Sequence, residues 1–132
     1  MNVLVDTSVW SLALRRKNGH GPQEATRLEQ LILQGESIFL IGVILQEILQ
    51  GTSRKEDFQR LSRSLSSFPL IPLKREDYIL AATIRNKCRT KGVQASTIDF
   101  LIAAAAVSYD CYLFTTDKDF LHISKHITLK LL

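Results

Sequence analysis

The chain has 132 residues, 45% hydrophobic and 23% charged, and carries a net charge of +4 from 17 Lys+Arg against 13 Asp+Glu. This length suits a single domain, residues 1–132, with a proper core, and the mild positive charge is compatible with an anionic partner such as nucleic acid. No apolar run is long enough to cross a membrane. Asp6 interrupts the first apolar stretch before a signal peptide can form, so a cytoplasmic protein with reduced Cys88 and Cys111 is expected.

Val3-Leu4-Val5 reads as a short buried strand, with Asp6 at its end and Thr7 or Ser8 able to cap a helix. That helix is expected over residues 8–17, with Val9, Trp10, Leu12 and Leu14 along it and Arg15-Arg16-Lys17 at its end. Residues 18–22 form a break, in which His20 is a solvated loop residue. A second helix, residues 23–34, has Ala25, Leu28, Leu31 and Ile32 as its apolar stripe and stops at Gly35. Ile38-Phe39-Leu40-Ile41 reads as another buried strand, ended by Gly42. A helix over residues 43–50 follows and stops at Gly51. Glu47 shares a face of it with Ile44 and Ile48, where a carboxylate is costly to bury unless paired or bound to metal.

Residues 53–65 read as a helix opened by a capping-box pattern, Ser53 with Glu56. Phe68 to Leu73 is apolar, and its two prolines suit an edge strand. Residues 76–91 read as a long helix with Tyr78, Ala81, Ile84 and Cys88 on one stripe. Its basic end serves either dipole compensation or phosphate contact. Residues 96–107 are apolar almost all round and belong in the interior, with Asp99 at capping distance from Ser96. Tyr112 to Thr115 reads as a strand, followed directly by Thr116-Asp117-Lys118-Asp119-Phe120, which repeats the arrangement around Asp6. A helical turn over residues 119–122 and a last strand over 127–132 complete the chain. Strands alternating with helices imply parallel β-α units and an α/β fold.

In an open parallel sheet, ligands bind beyond the carboxyl ends of the strands. Asp6, Glu47, Asp99 and Asp117 all fall at that end. Each alone has a bland reading as a cap or turn residue. Together they make a pocket that repels itself without a cation. Carboxylate oxygens suit Mg²⁺, with Mn²⁺ the alternative. His20, His122 and His126 are scattered and form no zinc set with the cysteines. An ion held by carboxylates next to basic surface points to phosphate-ester chemistry, in which a metal lowers the pKa of bound water and stabilises phosphoryl oxygens.

Val5-Asp6-Thr7-Ser8, the helix-borne Glu47, Asp99 opening an Ala-rich helix, and Thr115-Thr116-Asp117-Lys118-Asp119-Phe120 together resemble the PIN domain, in particular the ribonuclease toxins of VapBC toxin–antitoxin pairs. The resemblance spans essentially the whole chain. It implies a three-layer α/β/α fold around a central, mostly parallel sheet. It also implies a Mg²⁺-dependent endoribonuclease, the toxin of a type II toxin–antitoxin system. Carried over by position, Asp6, Glu47, Asp99 and Asp117 form the catalytic quartet, with Asp119 an alternative for the fourth acid. Asp6 and Asp99 are the firmest metal ligands, and Glu47 and Asp117 are further candidates. Thr7, Ser8 and Thr115 orient carboxylates or water. Arg85, Lys87, Arg89 and Lys91 are candidates for contact with the RNA backbone. The implied assembly is a homodimer inhibited by a VapB-type antitoxin whose C-terminal segment lies over the site. Trp10, Leu14 and the apolar side of the Glu47 helix either line a groove for it or form core. Two other classes stay open: a Mg²⁺-dependent phosphatase or phospho-acceptor domain, and a non-catalytic nucleic-acid- or protein-binding module of the same fold. A haloacid-dehalogenase-type phosphatase needs a second Asp where Ser8 stands, and a receiver domain needs an acidic strand end that Ile71-Pro72-Leu73 does not supply.

Overall fold

Val3, Leu4 and Val5 are fully excluded from solvent, although alternate residues of a strand face opposite ways. Their strand, β1 (Asn2–Val5), is therefore covered on both faces. In the computed structural model, which describes residues 1–15 and 22–132, it lies inside a four-stranded sheet with β2 (Ser37–Phe39), β3 (Tyr112–Phe114) and β4 (Lys130–Leu131). The strand order is β2-β1-β3-β4 and every pairing is parallel. Parallel neighbours need crossover connections, and helices supply them. These are α1 (Thr7–Arg15), α2 (Gln23–Leu33), α3 (Gly42–Gln50), α4 (Lys55–Leu65), α5 (Arg75–Thr90), α6 (Thr97–Ser108) and α7 (Lys118–Ser124). The expected α/β/α layering is thus present. Arg16, Lys17 and residues 18–21 of the expected break, with His20, lie outside the described residues. No helix among the described residues is long and apolar enough to cross a membrane.

The most buried helix is α6. Ala103 to Ala106 and Ile102 are at most 1% exposed, and small alanine side chains let the helix approach its neighbours closely while favouring helix themselves. It contacts β3 on one side and α5 and α7 on others. That holds its first turn, and with it Asp99, near the start of α7.

Several local expectations give way to packing. The Ser53–Glu56 box does not form: α4 starts at Lys55, with Arg54 at the N-cap position and no side-chain cap. The buried stripe of α5 contains Asp77, Ala81, Ile84 and Cys88, while Tyr78 is 54% exposed. Asp77 can be buried because it accepts the Lys74 N–H at 2.8 Å, closing the open end of the helix; the Tyr109 hydroxyl lies 3.4 Å from it and donates to the Pro72 carbonyl at 2.7 Å. Ile32 is also more exposed than its place on the α2 stripe suggested. The Phe68–Leu73 stretch touches the sheet through one parallel bridge, Leu40 with Leu70, because Pro69 and Pro72 interrupt the ladder. The last strand shrinks to Lys130–Leu131. Trp10 is core: it is 4% exposed and meets Phe68 edge-on at 5.2 Å between centroids.

Leu4 sits at the centre of this packing with no exposure. Leu4→Ala should lower stability by about 2–5 kcal/mol in chemical denaturation. A loss well under 1 kcal/mol would show that β1 is not the central core strand.

Candidate active site

The site begins where β1 and β3 end. Asp6 continues the β1–β3 ladder, its N–H donating to the Phe114 carbonyl at 2.9 Å. Its carbonyl accepts from Val9 and Trp10, so the backbone of Asp6 starts α1 while its carboxylate is left for other partners. That carboxylate is buried and accepts two hydroxyl hydrogen bonds at 2.8 Å, from Ser8 and Thr115. The same hydroxyls also receive backbone donors of the next loop: Thr116 N–H reaches Ser8 Oγ at 3.1 Å and Asp117 N–H reaches Thr115 Oγ1 at 3.0 Å. Ser8 and Thr115 therefore fix the Asp6 carboxylate and the Asp117 loop as one unit.

Asp117 opens α7, and its Oδ1 accepts the Asp119 N–H at 2.9 Å. Asp99 opens α6 as expected, in a reciprocal box with Ser96: each backbone N–H donates to the other's side chain at 3.1 Å. The two helix starts converge. One carboxylate oxygen each of Asp99, Asp117 and Asp119 lies within 4.8 Å of the others, and Asp99 and Asp119 are half-buried. Burial first, and then the charges of Asp117 and Asp6, push the Asp99 carboxyl above the usual range against the pull of its Ser96 hydrogen bonds. The donors are all oxygen and anionic, and they charge one another unfavourably. That is the donor set of a hard divalent cation.

Glu47, half-buried on α3, joins this region through Thr7, whose hydroxyl donates to Oε1 at 3.2 Å. It also lines a groove of about 620 Å³ between α1, α3 and α4, together with Leu14, Ile48 and Leu61. The structure thus gathers Asp99 with both Asp117 and Asp119, while Asp6 is tied to the Asp117 loop through Thr115 and Glu47 reaches, among the described residues, only Thr7. Asp119 had stood only as the alternative to Asp117. Its bond to Asp117 and its proximity to Asp99 come from the structure. The basic end of α5 divides into two exposed faces, Arg85 with Arg89 and Lys87 with Lys91.

The raised Asp99 carboxyl carries a sign for stability. The folded state holds that proton more tightly than the unfolded chain, so stability falls as pH rises from the ordinary Asp range through the raised value. The full cost is present at neutral pH. Asp99→Asn removes the charge and keeps an oxygen for the Ser96 N–H. Without metal at neutral pH its melting temperature should equal or exceed that of the parent. A destabilisation of about 1 kcal/mol would show that the charged cap outweighs the burial and repulsion that raise the Asp99 carboxyl.

The PIN domain family matches residues 3–126. No curated protein sequence matches the chain. Among solved structures, the chain is similar to one from Rickettsia felis, VapBC2 bound to a DNA fragment from its promoter. Identity is 22% and the TM-score 0.79, over 100% of this chain and 98% of that one. It is similar to FitAcB from Neisseria gonorrhoeae at 22% identity and a TM-score of 0.77, over 98% and 96% of the two chains. VapBC-1 from nontypeable Haemophilus influenzae gives 15% identity and a TM-score of 0.79, over 100% and 97%. At such identities the structural likeness establishes the fold, and the family match over nearly the whole chain establishes more: this protein belongs to the PIN domain family.

Proposed function

We propose that this protein is a Mg²⁺-dependent endoribonuclease and the toxin of a VapBC-type toxin–antitoxin pair. The observation that carries the reading is the convergence of Asp99, Asp117 and Asp119 beside the buried Asp6, at the carboxyl end of the central strands of a PIN domain. Structural neighbours that are VapBC complexes support the toxin role. Asp6, Asp99, Asp117 and Asp119 would hold the ion, Mg²⁺ or Mn²⁺, with Glu47 at its side. A divalent ion bound there supplies Lewis acidity to water and to the phosphoryl oxygens of an RNA phosphodiester. The remaining work belongs to the chain. Ser8 and Thr115 hold Asp6 in one orientation, and Thr115 ties that orientation to the Asp117 loop. Thr7 does the same for Glu47.

The groove that Glu47 shares with Leu14 and Leu61 is the seat we assign to the C-terminal segment of a VapB-type antitoxin. Leu14, 45% exposed, offers it apolar surface, and the buried Trp10 does not. The chain is taken to act as a homodimer, supported by Tyr78 and Ile79, adjacent and exposed on α5. The protein is taken to work in the cytoplasm.

The test is cleavage of a total RNA pool by purified protein. Fragments should appear with Mg²⁺ and be absent with EDTA or in Asp6→Ala. RNA left intact by the folded parent in both Mg²⁺ and Mn²⁺ would sink the nuclease reading, as would undiminished cleavage by Asp6→Ala. Thr115→Val, which keeps the shape and removes the hydroxyl, should slow cleavage about 10–100-fold. An unchanged rate would remove Thr115 from the site.

A further inference from the structure

A separate cavity of about 390 Å³ lies between the α5–α6 connection and the end of α7. Lys91, Gln94, His122, Lys125 and His126 line it, and none of its lining side chains is acidic. We infer that this cavity is a phosphate-binding subsite for the RNA backbone, flanking the acidic site and holding the strand through Lys91 and Lys125.

Two observations tie the cavity to the acidic group. Asp119 and His122 are three residues apart on α7 and share a face of it. Along the helix axis His122 and Lys125 lie roughly 4.5 and 9 Å from Asp119, within the span of a few nucleotides. On the other wall, Gln94 stands two residues before Ser96, the cap that holds Asp99. One strand of RNA crossing the carboxylates therefore runs directly onto a surface of opposite sign.

The ordinary explanation of these lysines is compensation of helix dipoles, since Lys91 and Lys125 are the C-cap residues of α5 and α7. The backbone already meets the carbonyls there. Val93 and Lys91 N–H both donate to the Cys88 carbonyl, at 2.9 and 3.0 Å, and Gly92, at φ 76°, donates to Arg89. At α7, Lys125 and His126 donate to His122 and Ile123. The side chains of Lys91, His122, Lys125 and His126 make no hydrogen bond or ion pair among the described residues. Two ammonium groups and two imidazoles thus face one concavity with their hydrogen-bonding capacity unused, which suits a phosphodiester.

The inference rests on the RNA-nuclease reading, so its test separates the two. Binding of a fluorescein-labelled single-stranded RNA of about 12 nucleotides is followed by anisotropy in EDTA, where cleavage plays no part. Lys91→Gln with Lys125→Gln should weaken binding about three- to tenfold and reduce the slope of log affinity against log salt by about 1.4, two contacts at 0.7 each. Lys55→Gln with Arg63→Gln on α4 removes the same charge elsewhere and should leave the slope near that of the parent. Equal slopes for the parent and the Lys91/Lys125 variant, with both folded by circular dichroism, would overturn the subsite. So would equal losses in both double variants. Complete displacement of RNA by millimolar inorganic phosphate at constant ionic strength would also overturn it, reassigning the cavity to a free anion. If the parent binds with the expected slope yet cuts no RNA in Mg²⁺, the nuclease reading fails and the subsite stands.

Discussion

The register of β1 against β3 is the constraint from which the rest of the site follows. Val5 pairs with Phe114, and Asp6 N–H closes one more rung onto the Phe114 carbonyl. The chain leaves both strands at the same level, so Asp6 and Thr115 meet at 2.8 Å although 109 positions separate them. A slip of one residue would turn every side chain of the strand to the other face. The core forbids it, because Val3, Leu4 and Val5 are buried on both faces of the sheet and Leu113 and Phe114 are buried beside them. Hydrophobic packing thereby specifies where the carboxylates sit. It also offsets the cost of burying Asp99 and, second to that, of setting it near Asp117 and Asp6, the two causes that raise its carboxyl.

What could be read from the sequence was local. Unbroken apolar runs marked β1 and β3, and the acids that follow them marked the sheet end. The Ser96–Asp99 spacing marked a helix start, and that box forms as written. The same pattern misled at Ser53–Glu56, where the chain stays extended at Arg54 and the helix begins at Lys55. On α5 the spacing 77, 81, 84, 88 is as helical as the one containing Tyr78, but an acidic side chain carries no local sign that it is buried. Only the structure shows that the Lys74 N–H satisfies Asp77 and so permits its burial. Strand order, the Thr7–Glu47 bond across 40 positions and the approach of Asp119 to Asp99 depend on non-local packing, which no window of sequence contains.

Two elements leave the site carrying surfaces of different character. Glu47 belongs both to the acidic region, through Thr7, and to the groove between α1, α3 and α4. A segment seated in that groove would lie directly against the Glu47 carboxylate. The other element, α7, begins at Asp117 and Asp119 and ends among Lys125 and His126. A short helix with a negative start and a positive end sets a carboxylate cluster and a lysine- and histidine-lined cavity a few residues apart.

The central claim is that the converging carboxylates form one cation site. Anomalous diffraction from crystals grown with Mn²⁺ addresses it directly. The account predicts a peak coordinated by Asp99 and by Asp117 or Asp119, with Asp6 facing it. Crystals saturated with Mn²⁺ that show no peak among these residues, or a peak only elsewhere on the molecule, would contradict it.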